Sequence, residues 1–270
     1  MQGFTNFLFA PGNRPDRIAK ALETKADLVC IDLEDSVPAT EKDAARDAAL
    51  DSLGIVSKTR KAIRTNGLRT QSGLKDLLAL AESRTVPELI FLPMVESPAE
   101  VEIAHAILGG KGCGLVPLIE TVKGLRRGDA IAGSDGVTAM MFGGGDFSSQ
   151  IGTKLEWEPL LAARSQFIMC GATAQLLLID VPYIDLNNEA GLAEECQKAK
   201  ALGFHAKAAI HPKQIETIAA NMQPSAEEIA EAKAAIDAFE AGGGKAIAFN
   251  GRMLEAPVMS RYRQLLAAAK

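Results

Sequence analysis

The sequence predicts an α/β protein built as a (β/α)8 TIM barrel with a C-terminal extension. Short apolar runs bounded by glycine and polar residues recur along the chain and read as fully buried parallel strands. Stretches rich in Ala, Leu and charge separate them, with apolar residues at helical spacing. Eight such strand–helix units of roughly 20 to 40 residues suit one barrel, and 270 residues is an ordinary length for it. A doubly wound open sheet is the rival that strand count alone does not exclude.

The elements follow in order. NFLFAP (6–11) is the first strand and RPDRIAKALETK (14–25) its helix, with Pro15 suited to the first turn. LVCIDLE (28–34) and KDAARDAALDSL (42–53) form the second unit, and KAIRTN (61–66) is the third strand. ELIFLPM (88–94) leads to the helix SPAEVEIAHAIL (97–108). GLVPLIE (114–120), VTAMMFGG (137–144), LLLIDVP (176–182) and KAAIHP (207–212) complete the eight. The barrel domain is therefore placed at 1–223 and the extension at 224–270. In the extension, PSAEEIAEAKAAIDAFEAGGG (224–244) reads as a helix capped near Ser225 and ended by glycines. Residues 245–270 read as a short extended pair and a terminal helix, which would cover the active face or pack on a neighbouring subunit.

Composition narrows the function. A net charge of −5 argues against general binding of nucleic acid or an anionic membrane, although a local basic patch could still hold phosphates. No run of about twenty apolar residues suggests a span, and the N-terminus lacks a secretory pattern. Cys30, Cys113, Cys170 and Cys196 are scattered without C-x-x-C spacing, so reduced thiols in a cytoplasmic protein are expected.

In a barrel, residues at the carboxyl ends of strands share one rim, and that rim carries the chemistry. Here it would hold Glu34, Asp35, Arg64, Asn66, Glu120, Asp146 and His211. Glu120 and Asp146 close adjacent strands and could share a cation; two carboxylates with no His or Cys cluster favour a hard ion of the Mg2+ type. Asp146 could instead cap the helix after it. The triplet Gly143–Gly145 is either a plain turn or a place where a ligand approaches the backbone. A guanidinium at a buried strand end needs a partner, so Arg64 should meet a substrate carboxylate or the Glu34/Asp35 pair. Arg14 and Arg17 flank a helix start, where free N–H groups and two cations suit an anion. Lys207 begins the eighth strand and is expected at the opposite, stabilising face. His211 has no Ser or Cys partner, which favours a structural hydrogen bond, and His105 falls on an outer helix face.

The chain resembles the citrate lyase β-subunit-like family of the HpcH/HpaI aldolase superfamily. The resemblance runs through LFAPGNRPDRIAKAL (8–22), CIDLEDSVP (30–38), IRTNGL (63–68), LPMVESPAEV (92–101), PLIETVKGL (117–125), MMFGGGDFSSQIG (140–152), DVPYIDLNNEAGL (180–192), GFHAKAAIHPKQI (203–215) and FNGRMLEAPV (249–258). It implies a modified (β/α)8 barrel, Mg2+, and reversible carbon–carbon cleavage of a 3-hydroxyacyl thioester such as citryl-, malyl- or citramalyl-CoA. By this resemblance Glu120 and Asp146 match the metal ligands, Arg64 the group holding the substrate's acid end, and Glu34 with Asp35 the acids beside it. Arg14 and Arg17 fit the CoA phosphates. A homo-oligomer, trimer or hexamer, is implied, its C-terminal segment reaching an adjacent site. Two positions depart from the pattern: Glu255 stands where an aspartate usually transfers the proton, and Met94 where a lysine is common. The resemblance leaves two other functions open, a metal-dependent aldolase acting on a free 2-keto-3-hydroxy acid and a weak member that binds acyl-CoA.

Overall fold

In the computed structural model, which describes residues 3–268, eight parallel strands pair in chain order and the eighth closes on the first. They are β1 (Asn6–Pro11), β2 (Leu28–Asp32), β3 (Arg60–Arg64), β4 (Leu89–Leu92), β5 (Gly114–Ile119), β6 (Ala139–Phe142), β7 (Leu177–Asp180) and β8 (Ala206–Ala209). The closure pairs Phe7 with Ala208, which removes both sheet edges and excludes the open-sheet alternative. Between the strands run α1 (Pro15–Leu22), α2 (Lys42–Leu53), α3 (Gln71–Glu82), α4 (Pro98–Leu108), α5 (Val122–Arg126), α6 (Gly128–Ala132), α7 (Gly144–Ile151), α8 (Trp157–Thr173), α9 (Glu189–Leu202) and α10 (Gln214–Met222).

Alternation along the strands divides the core in two. Leu28, Cys30, Ala62, Phe91, Leu118 and Met141 belong to the cluster that fills the barrel, while residues of opposite parity meet the helices. The same parity carries upward to the carboxyl ends. Asp32 lies two residues beyond Cys30, Arg64 two beyond Ala62, Glu120 two beyond Leu118 and Gly143 two beyond Met141. All four therefore face inward on top of the apolar filling.

Lys207 is corrected by this parity. It has the outward phase, and its side chain is 0% exposed in the layer between strands and helices rather than at the lower face. Its Nζ donates to Asp180 Oδ2 at 2.6 Å, Glu195 Oε1 at 2.7 Å and the Val181 carbonyl at 2.7 Å. Arg164, also buried, donates from Nε to Asp180 Oδ1 at 2.9 Å. Burial alone would discharge these groups, but the opposite charges outweigh it: the Asp180 carboxyl is held below its ordinary range and the Lys207 ammonium above.

The chain divides into two compact units, Met1–Ala219 and Ala220–Lys270. In the second, α11 (Ala226–Ala241) begins with a capping box: Ser225 Oγ accepts from the Glu228 N–H and the Glu228 carboxylate accepts from the Ser225 N–H. An antiparallel pair follows, β9 (Ile247–Phe249) and β10 (Arg252–Leu254), and then α12 (Ala256–Ala268). Ala235, Phe239, Leu254 and Met259 form this unit's own apolar cluster. Of the expected 224–270 extension, the last two positions lie outside the described residues. Among the described residues no helix is long and apolar enough to cross a membrane.

Candidate active site

The carboxyl ends of the strands open into a cavity of about 450 Å3. Its floor is the top of the barrel filling, Phe9, Leu118 and Met141, and its charged lining comprises Arg17, Asp32, Asp35, Arg64, Glu120 and Asp146.

Arg64 is the organising cation. It is 9% exposed, and its fork grips Asp32, with Nε to Oδ1 at 2.6 Å and Nη2 to Oδ2 at 2.8 Å. Nη1 donates to Asp35 Oδ2 at 3.2 Å and lies 2.8 Å from Glu34 Oε2. The guanidinium also sits over the Phe9 ring, 4.8 Å from its centroid. Sequence reasoning had offered Glu34 and Asp35 as its counterions; the principal partner is Asp32, at the true end of β2, while Glu34 and Asp35 belong to the following loop. Burial pushes the Asp32 carboxyl up, but the charge and two hydrogen bonds of Arg64 outweigh this and hold it below its ordinary value. Arg64 is held above its own by the same partners, again against burial. A guanidinium has five N–H donors, and three are engaged here. Arg64 also lines the cavity.

Glu34 has the opposite balance. Burial, with the charges of Glu120, Asp35 and Asp32, pushes its carboxyl up to about 8, although Arg64 opposes them. Its buried Oε2 lies off the guanidinium N–H directions and has no hydrogen-bond partner.

Glu120 follows β5 and is 5% exposed. Burial raises it to about 7, with Asp146 and Asp35 adding to the rise and the Met94 N–H and Arg64 opposing it. The Met94 N–H donates to Glu120 Oε2 at 2.7 Å. Met94 adopts a left-handed φ of 56°, uncommon for a residue with a Cβ, and this conformation accompanies the backbone donor's contact with the carboxylate. The contact to Glu120 thus comes from the backbone of Met94 and not from its side chain. Gly143 leaves room for the same side chain. A Cβ there would lie 2.1 Å from Glu120 Cγ and 2.6 Å from Oε1, so the glycine accommodates a neighbouring catalytic candidate as well as a turn.

Asp146 lies in the first turn of α7, whose N-cap is Gly143 without a side-chain cap bond. The helix-cap reading is not what the structure shows. Asp146 is exposed on the cavity wall beside Gly145. Glu120 and Asp146 both line the cavity; among the described residues no group of three or more His, Cys, Asp or Glu gathers to hold a metal ion.

A family model described as HpcH/HpaI aldolase/citrate lyase matches residues 6–212. The chain belongs to this aldolase/citrate lyase family. A second model, a C–C bond lyase of the TIM-barrel fold, matches residues 160–268. The human mitochondrial citramalyl-CoA lyase is 31% identical over 97% of this chain and 84% of its own length. The citrate lyase subunit beta of Escherichia coli K12 is 30% identical, covering 98% of this chain and 93% of that one. The crystal structure of CitE from Mycobacterium tuberculosis in complex with magnesium, acetoacetate and coenzyme A has a TM-score of 0.84 at 31% identity, covering 99% of this chain and 98% of that one. RipC from Yersinia pestis has a TM-score of 0.75 at 35% identity, covering 84% of this chain and 98% of that one.

Within this family member the remaining candidates separate. Arg14 is committed to Asp16, with Nε to Oδ1 at 2.9 Å and Nη2 to Oδ2 at 2.8 Å, and is absent from the cavity lining. Arg17, one helical turn on, is exposed and lines the cavity. Asn66 is buried and bonded through its N–H and Nδ2 to Asp76 Oδ2, at 2.8 and 2.7 Å. His211 Nδ1 accepts from the Lys213 N–H at 3.1 Å, a local turn bond, and His105 is exposed on α4. Glu255 is exposed between β10 and α12 in the second unit.

Proposed function

We propose that the enzyme is a Mg2+-dependent lyase that reversibly cleaves a short 3-hydroxyacyl-CoA into a 2-oxo acid and an acyl-CoA. The observation carrying this reading is the arrangement of Asp32, Arg64, Glu120 and Asp146 around one cavity in a member of a carbon–carbon lyase family. Glu120 and Asp146 would hold the cation. They fit it because Glu120 is a buried carboxylate whose charge is disfavoured by burial and by Asp146, and an oxygen pair leaving positions for water and substrate suits Mg2+. When bound, the ion would supply Lewis-acid polarisation of the substrate's hydroxyl or oxo oxygen.

The protein side chains account for the rest. Arg64, fixed by Asp32, offers its remaining donors to the substrate carboxylate. A carboxylate of the Glu34/Asp35 pair beside Arg64, of which Asp35 lines the cavity, takes or returns the hydroxyl proton, and the pair also orients Arg64. Removal of the hydroxyl proton lets the bond between the carbinol carbon and the thioester α-carbon break. Its electron pair passes to the thioester as an enolate, which then takes a proton at the α-carbon, a transfer assigned to Glu255. Arg17, which lines the cavity while Arg14 is engaged by Asp16, would meet the phosphates of CoA. Family resemblance supports a homo-oligomer, trimer or hexamer, in which Glu255 serves a neighbouring site, and the four free cysteines support a cytoplasmic location.

A panel of citryl-, malyl- and citramalyl-CoA, assayed with and without Mg2+, tests the reading. Cleavage of at least one, lost on chelation, is expected. Turnover restricted to free 2-oxo-3-hydroxy acids would instead identify an aldolase without a CoA requirement.

A further inference from the structure

We infer that Arg69 is a positioning residue for the cation site: by gripping the loop after β4 it holds the Met94 N–H against Glu120 while standing outside the cavity itself. The inference rests on the reading of Glu120 as a Mg2+ ligand and names the device that orients it.

Met94 is the link. Its N–H donates to Glu120 Oε2 at 2.7 Å, and its φ of 56° is left-handed. A residue with a Cβ keeps that conformation only where its surroundings impose it. Here three consecutive strand-end loops do so. Arg69, between β3 and α3, donates from Nη2 to the Met94 carbonyl at 2.7 Å and from Nη1 to Glu96 Oε2 at 2.7 Å. Lys123, on α5, donates to the same Glu96 Oε2 at 2.9 Å. The peptide groups on both sides of Met94 are thus fixed, one by the carboxylate of the cation site and the other by Arg69. The loop also lies close on α5. The Val95 N–H donates to the Leu118 carbonyl at 3.3 Å, and a Cβ on Gly124 would stand 2.5 Å from the Val95 carbonyl oxygen.

Exposed ion pairs add little to stability, and the Arg69 and Lys123 side chains are 50% and 55% exposed. Their shared partner is different, since the Glu96 side chain is 13% exposed. Lys123 first, and then Arg69, hold its carboxyl down at about 2 against the burial that opposes them. Arg69, Glu96 and Lys123 are absent from the cavity lining, so they meet no bound ligand there. What the group supplies is geometry: a fixed donor for Glu120.

The sign of the effect separates this role from plain charge. Deleting a cation near a Mg2+ site lowers repulsion and would tighten metal binding. Releasing Met94 removes the group that orients Glu120 and would weaken it.

Calorimetric titration of the full-length protein with Mg2+, at fixed pH and ionic strength, tests the inference. Arg69→Gln should weaken Mg2+ binding about tenfold, with the melting temperature of the metal-free protein little changed. Arg69→Lys, a point charge in place of a two-pronged grip, should fall between the two. Glycine adopts a left-handed φ without support, so in a Met94→Gly background the same Arg69→Gln change should cost about twofold or less. Unchanged or tighter Mg2+ binding in Arg69→Gln would overturn the inference. So would a tenfold loss that persists in the Met94→Gly background, because Arg69 would then act by a route other than the conformation of Met94. Should Arg69→Gln fail to fold, Lys123→Gln carries the test: it loosens Glu96 and should weaken Mg2+ binding, and unchanged affinity there would overturn the inference. These results leave the lyase reading intact, since thioester cleavage by the unmodified protein decides that. Failure of the unmodified protein to bind Mg2+ at all would overturn both.

Discussion

Glu120 is a carboxylate placed where its charge is costly. Burial and Asp146 raise it from 4.5 to about 7, and Glu34 rises to about 8. A folded state with raised carboxyl pKa values holds protons that the unfolded chain has already released, so stability is present below pH 4.5 and is lost as pH climbs through 7 and 8. For Glu120 alone the loss is about 3 kcal/mol. Thermal melts in chelator should therefore fall between pH 5 and 8.5, Mg2+ should restore the melting temperature at pH 8, and Glu120→Gln should make the profile shallower, leaving the part that Glu34 contributes. A melting temperature independent of pH in chelator would mean that this carboxylate is not strained by burial. Gly143→Ala tests the support of the same group: the added Cβ would meet Glu120 Cγ at 2.1 Å, so Mg2+ affinity measured by titration should drop about tenfold or more with the fold retained. Glu120 and Arg64 were legible as strand-end charges, whereas Asp146, expected at the end of a strand, lies in the first turn of α7. Asp32 was not singled out because it ends an apolar run and stands beside the more conspicuous Glu34 and Asp35. Its alternation with Leu28 and Cys30 was the signal that could have found it. The roles of Gly143 and of the Met94 N–H depend on distances between loops and have no sequence signature.

At the scale of elements, the strands were legible because burial on both sides makes each a continuous apolar run, and only their ends moved. β2 stops at Asp32 and not at Glu34, since the next residues turn: the Glu34 and Ser36 N–H groups donate to the Asp32 carboxylate at 3.0 and 3.1 Å. The layer between strands and helices was less legible. Arg164, Asp180, Glu195 and Lys207 lie on four different elements, and no local pattern announces that they meet. This group holds β7 and β8 to α8 and α9, and it contains buried charges that depend on one another. Lys207→Met should leave Asp180 and Glu195 short of a cation and destabilise the protein by about 3–5 kcal/mol in urea unfolding. Adding Asp180→Asn to that variant should recover part of the loss, because the orphaned charge goes with its partner. Additive losses in the double variant would show that the two side chains act independently.

The whole molecule joins a barrel whose cavity carries the cation-binding candidates to a second unit that carries Glu255. Glu255 is exposed, and its backbone carbonyl accepts from the Met259 N–H at 3.1 Å. If the carboxylate transfers a proton in the cavity of another copy, two inactive variants should complement each other. Chains with Glu255→Gln keep an intact Asp146, and chains with Asp146→Asn keep an intact Glu255. After subunit exchange, random pairing gives about a quarter of the sites both groups, so the mixture should regain activity to about that level while each variant alone stays near background. Delivery of Glu255 to its own chain's cavity predicts no rescue, because every site would still lack one group. The length of the side chain gives a second measure within the same experiment. Glutamate carries one methylene more than aspartate, and misplacement near an ångström costs about a hundredfold in rate. A slower Glu255→Asp enzyme would show a cavity shaped around the longer acid, and a faster one a proton donor held out of place. Unchanged turnover by Glu255→Gln, with proton transfer limiting the rate, would remove this residue from the reaction.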